Sequence, residues 1–228
     1  MLSYTEKYRP RTLSDVIGQP CVTALRQFVV EPYSTCILLE GPTGTGKSAT
    51  AKALANDLGC YGHPMFEPCY VEAAGNFKTE AVAYYFYSPD TPFRFAGLHV
   101  LILEELETMN PTVQLLMKDA LGEGRLPRNV VVVATSNGVG KLPKAIRDRF
   151  ALHHYCFQAG QPFADAVNER LAEIWQAEFG PGVDLPYGYD ALGWEGDNFS
   201  ARLALDRLQR YADVERRWAA EGKTHATV

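Results

Sequence analysis

The sequence contains no long apolar span, no secretory signal pattern, and no internal repeat, coiled-coil heptad or low-complexity segment. A membrane-spanning helix needs about twenty consecutive apolar residues, and a secretory signal needs a charged start followed by a shorter apolar core. We therefore expect a cytoplasmic protein without a membrane partner. The formal net charge of −5 also leaves the chain without the broad basic surface that is typical of proteins held on nucleic acid by charge alone.

Cysteines are few, odd in number and scattered, because the chain has only five. They are Cys21, Cys36, Cys60, Cys69 and Cys156. This pattern favours free thiols in a reducing cytoplasm over a disulfide framework. Cys60, His63 and Cys69 offer three metal ligands, but they lack a fourth ligand and a paired C-x-x-C spacing, so a metal site there is the weaker alternative.

The segment Gly41–Ser48 has the sequence GPTGTGKS and matches G-x-x-x-x-G-K-[ST], the pattern of a phosphate-binding P-loop. Glycines let the backbone turn tightly and point its N–H groups at a phosphate. Lys47 can reach the β- and γ-phosphates, and Ser48 can supply an oxygen to Mg²⁺. The apolar run 36–39 predicts a buried strand before the loop, and 48–58 predicts a helix after it, whose N-terminus favours anions. The predicted nucleotide-binding residues of this segment are Gly41, Pro42, Thr43, Gly44, Thr45, Gly46, Lys47, Ser48 and Ala49.

The opening of the chain, residues 5–19, has the sequence TEKYRPRTLSDVIGQ and little periodicity. It resembles the EKYRP-x-TL-x-DV-x-GQ opening of the small subunits of replication factor C, which are clamp loaders among the AAA+ ATPases. The resemblance implies an α/β P-loop NTPase with a central parallel sheet flanked by helices, followed by a small α-helical lid domain. It also implies that ATP or ADP is bound with Mg²⁺ and that this arm folds over the nucleotide. The residues that would line the adenine pocket are Tyr8, Arg9, Pro10, Ile17 and Gly18; the alternative is an arm that docks without touching a ligand.

The resemblance implies an AAA+ domain with its arm at residues 1–158, a helical lid at 159–220 and a tail at 221–228. Replication factor C small subunits continue into a helical collar domain, for which this chain has no room. We therefore expect assembly to rest on nucleotide-bridged contacts between ATPase domains, unless the chain is a fragment of a larger loader.

The apolar run 98–103 predicts a parallel strand that is buried on both faces and ends in Glu104-Glu105. Ligands bind at this end of the strands in open α/β sheets. One acid there can order Mg²⁺, and the next can polarise the water that attacks the γ-phosphate. The resemblance assigns Glu104 to the metal, together with Ser48, and Glu105 to the water. The family has Asp then Glu, so the extra methylene of Glu104 predicts that binding survives and turnover slows; a chance Glu-Glu at a helix start is the alternative.

Three further residues receive roles from the resemblance. Asn137, after the apolar run 130–135, corresponds to the sensor that orients the attacking water or reads the γ-phosphate, although Asn137-Gly138 also suits a simple turn. Arg149 corresponds to the arginine that reaches the ATP of the next subunit, the alternative being a surface arginine paired with an acid. Arg202 lies off the apolar stripe of the last helix and resembles the lid arginine that touches the γ-phosphate; an ion pair with Asp206 is the alternative.

Apolar stripes predict two of the helices in some detail. One begins at Asn110-Pro111, a favourable cap and first residue. Its predicted core residues are Val113, Leu116, Met117, Ala120 and Leu121. The last long helix is predicted to open at 195–198. Its apolar stripe contains Ala201, Ala204, Leu205, Leu208, Tyr211 and Ala212.

These features predict an ATP-binding and ATP-hydrolysing AAA+ ATPase of the clamp-loader type. The predicted catalytic residues are Lys47, Glu105, Asn137, Arg149 and Arg202. We expect it to act on DNA or on a DNA-bound protein such as a sliding clamp, in a ring with itself or related AAA+ subunits. The resemblance, and not the charge balance, supplies the DNA part. The alternative is a nucleotide-gated oligomerisation module with weak or no hydrolysis, and a small-molecule kinase is disfavoured by the sensor and finger arginines.

Overall fold

The structure is a computed structural model that describes residues 2–60, 69–122, 124–138, 140, 142–183, 185–186 and 188–221. His63 of the weaker metal alternative lies outside the described residues, as do residues 222–228 of the predicted tail. The chain divides into two compact units. The sheet unit comprises Pro10–Pro42 and Lys47–Phe157, and the helical unit comprises Met1–Arg9, Thr43–Gly46 and Gln158–Val228. The domain bounds predicted from the sequence stay a prediction.

The sheet unit is organised around five parallel strands in the order β2-β3-β4-β1-β5. The strands are β1 (Thr35–Glu40), β2 (Cys69–Ala73), β3 (His99–Glu104), β4 (Val130–Ser136) and β5 (His153–Cys156). Strand β4 is central, and all of its residues are buried. The continuous apolar runs in β1, β3 and β4 are what a parallel sheet covered on both faces requires. The α/β prediction is therefore confirmed.

Helices cover both faces of this sheet. They are α2 (Cys21–Val30), α3 (Lys47–Asp57), α4 (Thr79–Phe86), α5 (Pro111–Ala120) and α6 (Lys144–Arg147). Because side chains alternate along a strand, Leu38 faces one apolar cluster while Ile37 and Leu39 face the other. One apolar cluster therefore packs on each face of the sheet. Together the two clusters fix the carboxyl ends of the strands, where the loops carry polar residues.

Helix α5 departs in part from its predicted stripe. Its start is as expected, because the Asn110 side chain accepts a 2.9 Å hydrogen bond from the N–H of Thr112. Leu116, however, is 37% exposed, so its predicted core position is wrong. Gln114 is buried instead, and its Nε2 donates a 2.9 Å bond to the carbonyl of Met109. An amide whose hydrogen bonds are made can be buried, so the polarity of Gln114 was a wrong guide to the buried face of this helix.

The helical unit contains three α-helices and one short hairpin among its described residues. They are α1 (Tyr4–Lys7), α7 (Gln161–Phe179), the antiparallel strands β6 (Trp194–Glu195) and β7 (Asn198–Phe199), and α8 (Ala201–Ala220). Helix α8 begins at Ala201, where the Ser200 hydroxyl accepts from the N–H of Leu203 at 3.2 Å. The prediction that 195–198 opens this helix is therefore wrong. Tyr211, predicted in its apolar stripe, is 42% exposed.

In the described part of the chain, no helix combines the length and the apolar character that crossing a bilayer demands. The cysteines are all free thiols, as the sequence predicted; four are buried and Cys156 is exposed. Burial raises the pKa of the Cys36 thiol to about 12, so this cysteine is protonated and behaves as an apolar residue.

Candidate nucleotide-binding site

The predicted P-loop connects the end of β1 to the start of α3. Gly41 is anchored at the sheet, because its N–H donates a 3.1 Å bond to the carbonyl of Ser136, the last residue of β4. A Cβ on Gly41 would lie 2.8 Å from the Cβ of Phe157, and its φ is +152°. The backbone therefore leaves this glycine no space for a side chain, which holds the loop close to the strand ends.

Lys47 is buried at the first position of α3, with only 7% of its surface exposed. Its Nζ donates to the carbonyls of Gly41 and Pro42, each at 2.7 Å. A third bond of 3.0 Å goes to Oδ1 of Asn137, which follows β4. The structure thus brings together the predicted phosphate-binding lysine at the start of α3 and the predicted sensor residue after β4.

Glu104 is the last residue of β3, and its carboxylate lies 3.3 Å from the Nζ of Lys52. Lys52 follows Ser48 by four residues on α3, so the two side chains share one face of the helix. Glu104 therefore lies beside the helix face that carries Ser48. That Ser48 and Glu104 bind one metal ion stays a prediction.

Glu105 adopts a left-handed backbone conformation, with φ 58° and ψ 56°, which is uncommon for a residue other than glycine. Two threonines hold it there. Its N–H donates a 3.1 Å bond to the hydroxyl of Thr135, and its carbonyl accepts a 2.7 Å bond from the hydroxyl of Thr108. This backbone turn exposes the Glu105 carboxylate while Glu104 stays at the strand end. Such strain concentrates at functional sites.

Glu107 is a further residue of the candidate site, and no role was predicted for it from the sequence. Its Oε1 accepts a 3.0 Å bond from the main-chain N–H of Asn137. Burial raises its pKa, but hydrogen bonds from main-chain N–H groups, including that of Asn137, outweigh burial and hold the pKa below its usual value. Glu107 is therefore a charged support beneath Asn137. The available signal was a third acid shortly after the end of β3.

Arg149 lies in a short 3-10 helix, Asp148–Phe150, that follows α6. Its Nε donates a 3.0 Å bond to the carbonyl of Lys118 near the end of α5. This bond ties the base of the guanidinium to the helix and leaves the side chain partly exposed.

Within the helical unit, the P-loop residue Gly44 contacts the start of α8. The Gly44 carbonyl accepts from the N–H groups of Ala201 at 3.0 Å and Arg202 at 3.4 Å. A Cβ on Gly44 would lie 2.0 Å from Oγ of Ser200, and its φ is +82°. The main chain of Arg202 is thereby fixed, while its side chain is exposed.

The N-terminal arm of the helical unit is held by Glu178 near the end of α7. Its Oε1 accepts from the hydroxyl of Tyr8 at 2.5 Å and also pairs with Lys7. Its Oε2 accepts from Arg216 of α8 at 2.6 Å, and Arg216 also donates to the Tyr4 hydroxyl at 3.0 Å. Burial raises the pKa of Glu178, but the hydrogen bonds from Lys7 and Tyr8 outweigh it and lower that pKa. One carboxylate thus joins the arm to two helices.

The five residues predicted for the adenine base divide between the two units. Tyr8 and Arg9 belong to the helical unit, where Arg9 pairs with Glu6 at 2.5 Å. Pro10, Ile17 and Gly18 belong to the sheet unit and are partly buried. Their predicted contact with a base stays a prediction.

Comparison with known proteins shows the family to which this chain belongs. The family model described as "ATPase family associated with various cellular activities (AAA)" matches residues 37–157, which span β1 to the end of β5. A replication factor C small subunit of Aeropyrum pernix is 31% identical over 216 residues, covering 90% of this chain and 61% of the relative. One from Thermofilum pendens is 28% identical over 217 residues, covering 93% of this chain and 63% of the relative. The chain spans about three fifths of the length of these relatives.

Solved structures show the same fold at lower identity. The Thermotoga maritima RuvB Holliday junction branch migration motor superimposes with a TM-score of 0.66 over 92% of this chain and 66% of its own, at 20% identity. At this level of identity the match shows the fold alone.

Proposed function

The chain belongs to the AAA family of ATPases, and we propose that it binds ATP with Mg²⁺, hydrolyses it, and works as a clamp-loader-type subunit on DNA or a DNA-bound protein. The observation that carries this proposal is the contact between Lys47 and Asn137 at 3.0 Å. It joins the phosphate-binding lysine to a polar side chain beyond the central strand. Hydrolysis needs both groups near one γ-phosphate.

Phosphate binding follows from the contacts of Lys47. Its ammonium is satisfied by two loop carbonyls and one amide oxygen in this structure. Phosphate oxygens carry more negative charge than carbonyls, so a bound triphosphate exchanges these contacts for stronger charge-assisted bonds. The N-terminus of α3, which begins at Lys47, adds its positive dipole end.

The donor set near Lys47 fits Mg²⁺, which prefers oxygen ligands and keeps several waters. Ser48 would supply a hydroxyl, and Glu104 would hold the ion through its water shell. Mg²⁺ bound there would neutralise charge on the β- and γ-phosphates. Lys52 competes for Glu104 at 3.3 Å, so loading the site requires Glu104 to turn away from this partner.

For the chemical step, we assign Glu105 to polarising the attacking water and Asn137 to orienting it. The exposed carboxylate of Glu105 suits the first role, and the bonds of Asn137 to Lys47 and Glu107 suit the second. Arg149 would act on the ATP of a neighbouring subunit, and Arg202 would contact the γ-phosphate of its own. Positive charge delivered to the transferring phosphoryl group accelerates the reaction by orders of magnitude.

We propose that the adenine base contacts five residues, as the resemblance of the arm implies: Tyr8, Arg9, Pro10, Ile17 and Gly18. The similarity to replication factor C small subunits over about nine tenths of the chain supports action on DNA or on a DNA-bound protein such as a sliding clamp. It also supports a ring of this chain with itself or with related AAA+ subunits.

A second function, a nucleotide-gated oligomerisation module with little hydrolysis, is favoured by one contact. Glu104 is longer than the family's aspartate and is paired with Lys52 in this structure. If that pair persists with nucleotide bound, Mg²⁺ is held poorly and ATP serves mainly to join subunits.

Steady-state ATP turnover with and without primed DNA separates these functions. We expect DNA-stimulated turnover that Glu105→Gln lowers by about a hundredfold or more. Glu173→Gln is the matched control, because Glu173 is exposed on α7 and pairs with Arg170. Light scattering with a non-hydrolysable ATP analogue reports assembly. Assembly with ATP but no turnover supports the second function, and a chain that neither binds ATP nor assembles refutes both.

A further inference from the structure

The ends of β1 and β5 bring a glutamate, a histidine and a cysteine together outside the residues assigned above. Glu40, the last residue of β1, is the register partner of Cys156, the last residue of β5. His154 precedes Cys156 by two residues, and side chains two apart in a strand point to the same face. The three side chains therefore project from one face of the sheet at its β5 edge.

Their donor atoms are already close. One oxygen of Glu40, one ring nitrogen of His154 and the Sγ of Cys156 all lie within 4.8 Å of one another. The closest pair is His154 Nε2 and Glu40 Oε2, at 2.7 Å. His154 and Cys156 are exposed and Glu40 is partly buried, so solvent reaches the cluster.

We propose that Glu40, His154 and Cys156 bind a Zn²⁺ ion. Carboxylate oxygen, imidazole nitrogen and thiolate sulfur are the three ligand types of protein zinc sites. With bonds of about 2.0 to 2.3 Å and tetrahedral angles, donors on one zinc ion lie about 3 to 4 Å apart. The three donor atoms, which lie within 4.8 Å of one another, are already close to that spacing, and the paired strands hold their backbones in register.

Three protein ligands leave a fourth position for a small molecule. A cavity of about 340 Å³ adjoins His154 and is also lined by Lys144, Arg147 and Asp148. Water or a small anion fits this position, because Lys144 and Arg147 in the cavity outnumber the one acid, Asp148. The thiolate and carboxylate supply the negative charge that a divalent ion needs.

The ion would join the edge strand to its neighbour immediately before the P-loop. Strand β5 pairs with β1 over four residues, Ile37–Glu40 with His153–Cys156. The next bond along, from Phe157 N to the Glu40 carbonyl, is 2.6 Å, and Gly41 follows Glu40 directly. Zinc therefore stabilises the folded sheet unit by mass action and fixes the strand from which the P-loop departs.

The test uses the full chain after removal of metal with a chelator. We expect it to bind one Zn²⁺ ion, to give a cobalt–thiolate absorption band with Co²⁺, and to unfold at a higher temperature with Zn²⁺. Cys156→Ser should lose the cobalt–thiolate band. Glu40→Gln and His154→Gln should weaken Zn²⁺ binding at least tenfold, the order seen when a ligand contact is lost.

The matched control is His153→Gln, on the same strand but facing the opposite side toward Tyr33, and it should bind zinc like the wild type. A second readout needs no variant: Zn²⁺ should protect Cys156, the exposed thiol, from alkylation. Stoichiometric zinc in Cys156→Ser, or unprotected alkylation at saturating zinc, overturns the proposal. Metal content and alkylation do not depend on ATP turnover, so this result stands apart from the test of the proposed function.

Discussion

The main-chain N–H of Asn137 donates a 3.0 Å hydrogen bond to the Glu107 carboxylate, while the Asn137 side chain accepts from Lys47. One residue is thus held from both sides, by an acid after β3 and by the first residue of α3. We expect the orientation of Asn137 to depend on Glu107.

Replacing Glu107 should therefore separate positioning from phosphate binding. We expect Glu107→Ala to lower kcat by about tenfold or more, since a hydrogen bond to a charged group contributes roughly 1.5 to 3 kcal/mol, and to change the KM for ATP less. Glu107→Gln keeps an acceptor oxygen and should recover most of the rate. Equal rates for both variants and the wild type would show that Glu107 has no part in placing Asn137.

Lys52 should weaken Mg²⁺ binding by competing for Glu104. We expect Lys52→Gln to lower the Mg²⁺ concentration for half-maximal turnover by up to about fivefold, because a partly exposed pair contributes about 1 kcal/mol at most. A magnesium titration of ATP turnover measures this. The same substitution in a Glu104→Gln background should have no effect on the titration; an unchanged gain there means that Lys52 acts elsewhere.

The left-handed backbone conformation of Glu105 predicts that a glycine at this position raises the stability of the fold while it abolishes ATP turnover. Glu105→Gly and Glu105→Ala both remove the carboxylate, so turnover should be lost in both. Only alanine keeps the strain of φ 58°, so the glycine variant should be more stable by about 1 kcal/mol. Urea unfolding of the two variants measures the difference, and a more stable alanine variant would show that the turn relaxes without glutamate.

Glu178 should hold the N-terminal arm. Its side chain is only 9% exposed and accepts from Tyr8 and Arg216, so Glu178→Gln should destabilise the helical unit by about 2 kcal/mol. Limited trypsin digestion should then cut sooner after Lys7. Glu173→Gln, on the same helix but exposed, is the control. A digestion rate unchanged in Glu178→Gln contradicts this role.

The same carboxylate predicts a pH dependence. Its pKa is lowered from 4.5 in the folded chain, so its stabilising effect is complete above that pH and is lost as pH falls through the lowered pKa. The stability gap between wild type and Glu178→Gln should therefore be full near neutral pH and shrink in acid. Urea unfolding at several pH values measures the gap; a gap that widens in acid has the wrong sign.

Arg149 should act between subunits. We expect Arg149→Ala to assemble with ATP but to hydrolyse it about a thousandfold more slowly. Mixing it with Glu105→Gln should restore part of the turnover, because a mixed ring contains sites with both an intact acid and an intact arginine. Arg170→Ala, an exposed arginine on α7, is the control. A mixture no more active than its components contradicts action in trans.

Much of the sheet unit is predictable from the sequence because its signals are local and strong. The apolar runs that precede Gly41, Glu104 and Asn137 each form a buried parallel strand, as the sequence predicted. Parallel strands must be apolar on both faces, which makes such runs easy to recognise. The Asn110 cap of α5, which accepts from the N–H of Thr112, was predictable because Asn followed by Pro is a local signal for a helix start.

The remaining features depend on hydrogen-bond partners that no periodic pattern reveals, and some of these partners are distant in sequence. Gln114 is buried because the carbonyl of Met109 satisfies its amide, and no periodic pattern contains that information. The β6-β7 hairpin takes residues that sequence assigned to the start of a helix, since Ser200 caps α8 instead. Glu107 and Glu178 acquire their partners only when the chain folds.

The close approach of Gly44 to Ser200 restricts which residues can occupy position 44 of this loop. The P-loop pattern leaves its fourth letter open to any amino acid, yet even a methyl group there would collide with the Ser200 hydroxyl at 2.0 Å. An exchange of this loop that brings any residue other than glycine to position 44 should therefore fail unless position 200 is exchanged with it. The sequence requirement of this loop therefore includes Ser200, which lies more than 150 residues after the eight-residue motif.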